Sequence, residues 1–295
     1  MTLLFNKENT HKKIFIKHLE ETYKAHYSFS ILEYVEKFHP GLEYIKLNIC
    51  QKTGTEYYTP RSFYGNQEYY KAITDSSEYY KKERWEWNSA LELLNNKTNI
   101  LEIGCGKGAF IKKASKHGYK VVGIDPSHHS QQEYIYKETI EEHILNNPST
   151  KYDVIVSFHV LEHIADIDAF FKSIELLLKE DGFLLIAVPN NNSFIRRDPI
   201  NIMNMPPHHL NLWTPSSIKN TLLYYGFNNI QIILNKLPPD HHQWYFQVYY
   251  NVLRDKLGLI GRIISKVTKP LIIFSLKVNI LKPDAAEMFI KVSRR

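Results

Sequence analysis

The chain has 295 residues, 43% of them hydrophobic, and a formal net charge of +6 at pH 7, with a pI near 9.0. This is enough for one or two domains with ample core. It excludes a small disulfide scaffold, a low-complexity chain and a chain built around membrane-spanning segments, because no stretch is long and apolar enough to cross a bilayer.

Residues 1–90 are rich in tyrosine and charge and are read as a cap or substrate region. Met1 to Thr10 lacks the apolar core of a signal peptide. His11 to Lys37 is expected to be mostly helical. Tyr44 to Tyr58 reads as a hairpin turning at Lys52-Thr-Gly-Thr55, and Tyr79 to Leu94 as a helix. The cysteines, Cys50 and Cys105, lie far apart, so no disulfide or cysteine zinc site follows; a reducing cytoplasm is the expected location.

Residues 91–242 alternate strand and helix. Ile100 to Ile103 is a short apolar strand, Ala109 to His117 a helix closed by Gly118, and Val121 to Ile124 a second strand. Tyr134 to Tyr136, Tyr152 to Phe158, Phe183 to Val188 and Phe227 to Leu234 continue the series. The helix Ile167 to Lys179, ended by Asp181-Gly182, and the helix Thr214 to Tyr225 separate the later strands. Residues 243–284 are an insertion, and Ala286 to Val292, within residues 285–295, is a candidate last strand. The expected fold is therefore α/β: a doubly wound, seven-stranded, mainly parallel Rossmann-like sheet with helices on both faces. Within the insertion, Leu257 to Leu281 mixes aliphatics with Arg262, Lys266, Lys269 and Lys277. Two readings stand: a helical cap packed on the sheet or a second subunit, which is favoured, and a basic element lying on a membrane.

The first strand runs into Gly104-Cys-Gly-Lys-Gly108, where bare backbone can approach a ligand. Asp125, at the end of the second strand, is placed to hold a ribose diol. Gly104-x-Gly106-x-x-Ala109 also satisfies the dinucleotide pattern, so the glycines do not separate NAD from another nucleoside. Two details favour another ligand. Gly108 is a glycine that pattern does not need, and Glu102 at the strand tip repels a pyrophosphate but suits a cation. S-adenosylmethionine (SAM) carries a sulfonium and an ammonium and no phosphate, and Glu102-x-Gly104-x-Gly106-x-Gly108 resembles the first motif of class I SAM-dependent methyltransferases. The candidate cofactor contacts are Glu102, Gly104, Cys105, Gly106, Gly108, Asp125, Pro126 and Phe158. Arg84 is a candidate partner for the SAM carboxylate, a surface role beside Glu83 and Glu86 being the alternative. Adenine is expected near Thr139 to Glu142.

Ligands of doubly wound sheets sit at the carboxyl ends of the strands. His159, Glu162 and His163 follow one such end, and the loop Met205-Pro-Pro-His-His209 is expected to fold over the same edge as a lid. Val160-Leu-Glu-His-Ile164, Val188-Pro-Asn190, Pro206-Pro-His-His209 and Tyr225-Gly-Phe227 resemble methyltransferases of the ubiquinone-biosynthesis O-methyltransferase type. Phe63-Tyr-Gly65, Tyr79-Tyr80 and Trp85-Glu-Trp87 resemble a subset encoded among cell-surface polysaccharide genes. The resemblance covers residues 40–235 and implies SAM as cofactor, a hydroxyl acceptor on a small molecule or glycan, and an antiparallel last strand, for which residues 286–292 are placed. His163 and His209 are the candidate general bases, with His159 and Glu162 beside them. In some relatives a Glu-x-x-Glu-His cluster and a distant histidine bind a divalent metal. Here His159 replaces the first Glu, so His159, Glu162, His163 and His208 or His209 form only a secondary metal candidate, and no metal is favoured. A structural role for His163 is the competing reading.

Trp85, Trp87 and Tyr64 are read as core packing or pocket wall, Asp153 as a strand-entry residue, and His128-His129 as solvated surface. The basic pI leaves RNA or protein acceptors as an alternative, although no interleaved basic and aromatic patch supports one. A non-catalytic module of the same fold is the third alternative.

Overall fold

The computed structural model describes residues 10–74, 83–95, 99–127, 133–198 and 201–294. The motif Tyr79-Tyr80 and the pair His128-His129 lie outside the described residues. Eleven strands fall into two sheets among the described residues. The larger has seven strands: β4 (Ile100–Ile103), β5 (Val121–Ile124), β6 (Ile135–Tyr136), β7 (Tyr152–Phe158), β8 (Leu178–Pro189), β10 (Asn229–Lys236) and β11 (Asp284–Ser293). Their order is β10-β11-β8-β7-β4-β5-β6. The pairs β4–β5, β4–β7, β5–β6 and β7–β8 are parallel, whereas β11 runs antiparallel to β8 and β10.

The strands form because their side chains are buried on both faces. Alternate residues divide between two apolar clusters, as the period-2 geometry of a strand requires. Leu101, Ile155, Leu184 and Ile290 face Phe170 and Ile174 of helix α7 (Ile167–Leu177) and Ile218 and Leu222 of α8 (Pro215–Tyr224). Ile100, Val154, Val156, Leu185 and Phe289 face Trp87 and Ala90 of α4 (Trp85–Leu93) and Phe110 of α5 (Ala109–Lys116). The doubly wound sheet with an antiparallel last strand is thus the fold expected from the sequence.

The smaller sheet joins β1 (Thr10–Phe15), β2 (Tyr44–Ile49), β3 (Glu56–Thr59) and β9 (Asn211–Leu212) in that order. The hairpin β2–β3 stands where the sequence placed it. Residues 10–15 correct the helical expectation for His11 to Lys37: they pair antiparallel with β2, Ile14 opposite Ile45. A strand partner supplied by the tertiary fold overrides local preference there. Helices α1 (Glu20–Tyr27) and α2 (Ile31–Phe38) follow. This region has its own core, with Tyr23, Tyr34, Ile45, Tyr58, Phe63 and Tyr69 among the buried residues. β9 belongs to the main domain's chain, so the β3–β9 pairing stitches the two sheets together.

Helix α7 ends at Leu177, earlier than Lys179, because Leu178 already pairs with Tyr152 at the start of β8; a bulge follows, and pairing resumes at Val154 and Phe183. The insertion is one long helical element, α9 (His242–Lys277), broken at Gly258, whose φ of 56° and ψ of −127° interrupt the helix. Gly261 then lies so close to the first arm that a Cβ there would sit 2.0 Å from the Leu253 carbonyl oxygen. Phe246, Val248, Ser265 and Leu276 are buried, so the element packs on the domain as a cap. Only one side of its second arm is covered.

Candidate functional site

The carboxyl ends of β4, β5 and β7 lie side by side, Ile103 pairing with Ile124 and with Ser157. The turn after β4 is fixed by hydrogen bonds from the Gly104 and Cys105 N–H groups to the Ile124 carbonyl. Asp125 accepts from the Gly106 N–H at 2.9 Å through one oxygen and from the Ser127 N–H at 2.7 Å through the other. Each oxygen keeps lone-pair capacity for a ligand. Glu102 is buried, and its Oε2 has no hydrogen-bond partner. Burial, reinforced by the Asp125 charge, pushes its pKa well above the ordinary carboxylate range, and burial raises the Cys105 thiol as well. A buried carboxyl next to a half-buried carboxylate, beside a glycine turn, fits a cationic ligand that bears a diol, and it disfavours a pyrophosphate.

Gly104 is where this loop meets the next. Its φ is +71°, and a Cβ would stand 2.3 Å from Val160 Cγ2. Gly104→Ala is expected to cost roughly 2–4 kcal/mol from left-handed strain plus overpacking. Thermal unfolding checks the stability; SAM titration is expected to weaken in parallel, because relief of the clash displaces the turn.

After β7 the chain places His159 in a left-handed conformation, φ 56°. Its Nε2 lies 3.1 Å from Glu86 Oε1 and its Nδ1 3.4 Å from Glu162 Oε1. Burial and Arg84 disfavour the imidazolium, but the two carboxylates outweigh them and raise the pKa. His159 is thus an ion-pair hub rather than a replacement for a ligating carboxylate. Burial acts against Glu86 too, yet its contact with His159 brings its pKa below the usual value. Glu162 is buried, and neither of its carboxylate oxygens accepts a hydrogen bond in good geometry.

His163 and His209 lie near Glu162, and His208 stacks on His209. His163 Nδ1 lies 2.6 Å from the His208 carbonyl, which only accepts, so Nδ1 carries the proton and Nε2 the lone pair. The Tyr70 hydroxyl is 3.2 Å from the same nitrogen. His209 Nδ1 faces Asn204 Oδ1 at 3.4 Å, leaving its Nε2 lone pair 3.9 Å from Glu162 Oε1. Ring centroids of His163 lie 4.8 Å from those of both His208 and His209, which stack on each other at 4.5 Å. Burial lowers all three pKa values, and neighbouring histidines lower His208 and His209 further. Three imidazoles that stay neutral at pH 7 are suited to accept a proton or to hold a soft divalent ion. Their donor atoms lie within 4.8 Å of one another. Two ligands on one ion span at most about 4.2 Å, so a small rotation of the rings completes such a site.

These loops are held by the N-terminal region. Arg61 donates to the carbonyls of Ile164 at 2.7 Å, Ala165 at 2.9 Å and Leu210 at 3.0 Å, and burial lowers its pKa to about 10. Asn211 Nδ2 donates to the carbonyls of Leu161 and Ile164. The Gly65 N–H reaches the Pro207 carbonyl at 2.6 Å, and Arg196 pairs both oxygens of Glu56 at 2.7 and 2.8 Å. The loop 205–210 is buried throughout. It is wedged between β3 and the 160–164 loop, where Leu210 accepts from the Tyr58 N–H and donates to the Glu162 carbonyl. Arg61→Ala is expected to cost about 2–4 kcal/mol, since it strands several buried carbonyls. Calorimetry should show a melting temperature lower by roughly 5–10 °C, and Arg61→Lys should recover little, a single ammonium being unable to span three acceptors.

The structure brings together Glu102, Gly104, Cys105, Gly106 and Asp125 at one strand edge and His159, Glu162, His163 and His209 at the next. Phe158 packs on Phe110 with ring centroids 4.9 Å apart, in the core. Trp87 lies in that same core and Trp85 packs against it. Tyr64 is exposed. Pro126 is exposed beside Asp125, and Arg84 is the residue before α4. Thr139 and Glu142 cap α6 (Ile140–Asn146) reciprocally. Asp153 accepts from the Asn99 N–H and from Lys179, as a strand-entry residue does. Sequence reasoning missed Glu86, Tyr70, His208 as a full member of the cluster, and Arg61.

Residues 79–232 match the methyltransferase domain family. The ubiquinone biosynthesis O-methyltransferase of Bradyrhizobium diazoefficiens is 30% identical over 104 residues, covering 32% of this chain and 40% of that protein. The protein of the same name from Bartonella tribocorum is 32% identical over 102 residues, covering 31% and 41%. The match spans about two-fifths of the length of these curated relatives. A solved SAM-dependent methyltransferase from Archaeoglobus fulgidus superposes with a TM-score of 0.51 at 18% identity, covering 76% of this chain and 99% of that one. It shares the fold.

Proposed function

The chain belongs to the methyltransferase domain family, and from that premise we propose a SAM-dependent O-methyltransferase acting on a hydroxyl of a small molecule or glycan, such as a sugar or its lipid-linked or nucleotide precursor. The observation that carries this reading is the pair of neutral imidazoles beside Glu162, His209 buried and His163 half-buried, on the loop that follows the strand next to the Glu102 strand. Gly104, Gly106 and Gly108 would give the cofactor a bare backbone surface, Asp125 would accept from its ribose hydroxyls, and Glu102 would stand toward its cationic portion. When bound, SAM supplies an electrophilic methyl group and its own leaving group. The protein orients the acceptor oxygen and takes its proton. Nε2 of His163 is available for that step, because Nδ1–H is committed to the His208 carbonyl. Nε2 of His209 is a second acceptor. Proton transfer by such a group contributes about 10²–10⁴-fold.

A second reading follows from His163, His208 and His209, whose donor atoms lie within 4.8 Å of one another. Together they would hold zinc, manganese or iron, with Glu162 3.9 Å from His209 beside them, and the ion would lower the pKa of a bound acceptor hydroxyl. Calorimetry with SAM, then assay of a panel of hydroxylated acceptors by mass shift before and after chelation, tests both. The base reading expects turnover that survives chelation; the metal reading expects loss and recovery with added ion. Failure to bind SAM overturns the proposal, and transfer only to RNA or protein overturns the choice of acceptor.

A further inference from the structure

The second arm of α9 carries an apolar stripe that nothing among the described residues covers. Ile260, Ile263, Val267, Leu271 and Phe274 recur at helical spacing and are 64%, 56%, 74%, 67% and 57% exposed. Leu259 and Ile280, each 70% exposed, extend it at both ends. The opposite side is the packed one, through Gly261, Ser265 and Leu276. A soluble surface ordinarily breaks up an apolar run of this kind.

Charge selects the occupant. Residues 256–283 contain six Lys or Arg and no Asp or Glu. On the helix, Arg262, Lys266 and Lys277 line one border of the stripe and are exposed. A second copy of the chain laid on this face would bring an identical row of cations against the first. An anionic bilayer meets both features at once: acyl chains accept the stripe and headgroups accept the cations. No helix among the described residues is long and apolar enough to cross a membrane, so the element lies in the interface and does not span.

We propose that residues 259–280 dock this protein on an anionic lipid surface, with the Ile263–Val267–Leu271 stripe inserted among the acyl chains and Arg262, Lys266 and Lys277 at headgroup level. The test is co-sedimentation of the purified full chain with vesicles of phosphatidylcholine alone or containing about one-third phosphatidylglycerol. Expected is pelleting with the anionic vesicles, at least about tenfold weaker partition onto neutral ones, and release by salt. The exposed triple variant I263D/V267D/L271D should stay in the supernatant while keeping its melting temperature and SAM affinity. The charge variant R262E/K266E should lose about tenfold in partition. Absence of binding to both vesicles, or pelleting of the triple variant like the parent, overturns the proposal. So does a dimer, seen by light scattering, that these substitutions dissociate while vesicles bind neither form.

Discussion

Asp125→Ala is expected to weaken SAM binding by about 100-fold or more. A charged acceptor bonded to two ribose hydroxyls is worth roughly 3–5 kcal/mol in such a site, at about 1.5–3 kcal/mol for each charge-assisted bond. The structure adds a second cause. The same carboxylate holds the Gly106 and Ser127 N–H groups, so its loss also loosens the turn the cofactor rests on. Calorimetric titration of SAM and S-adenosylhomocysteine measures the effect, and both should fall together because they share the ribose. Asp125→Asn is the milder change: one oxygen remains to accept a turn N–H, but the amide –NH2 confronts the other, so affinity and melting temperature should both fall, each by less than in the alanine variant. An alanine variant that binds SAM as tightly as the parent would remove Asp125 from the site.

Most of the sheet was legible in the chain because its parallel strands are buried on both faces and so read as short apolar runs between glycines. Ile100 to Ile103, Val121 to Ile124 and Tyr152 to Phe158 stand where the pattern put them. The glycine loop and Asp125 were legible for a related reason: their spacing is set within one βαβ unit. The features that join distant segments left no such mark. β9 is two residues long and exists only because β3 offers it an edge. Glu86 is 73 positions from His159, and on its own helix it looks like any surface acid. Arg61 binds only backbone carbonyls, which carry no sequence signal at all. Val160 to Ile164 and Pro206 to His209 were visible as motifs, yet their burial under the N-terminal hairpin followed from the tertiary fold. That burial turns the histidines from exposed candidates into neutral imidazoles, through the desolvation that lowers all three pKa values.

His163→Ala is expected to lower kcat by about 10²–10³-fold with little change in SAM affinity. The reasoning begins with the tautomer. The His208 carbonyl fixes the proton on Nδ1 and leaves Nε2 as an acceptor on a half-buried ring. Its pKa, lowered by burial, keeps it neutral at pH 7, so nearly every molecule carries the competent base. SAM affinity should hold, since its contacts fall to the glycine turn and Asp125. A purely structural His163 predicts a different pattern. It would then act by tying the 160–164 loop to the 205–210 wedge, and losing it would lower thermal stability along with activity. His163→Asn discriminates: an amide can still donate to the His208 carbonyl but offers no imidazole lone pair. If the asparagine variant restores stability and leaves kcat depressed, His163 takes the proton. If it restores both, the residue only positions the loop and the base is His209, whose Nε2 lies 3.9 Å from Glu162.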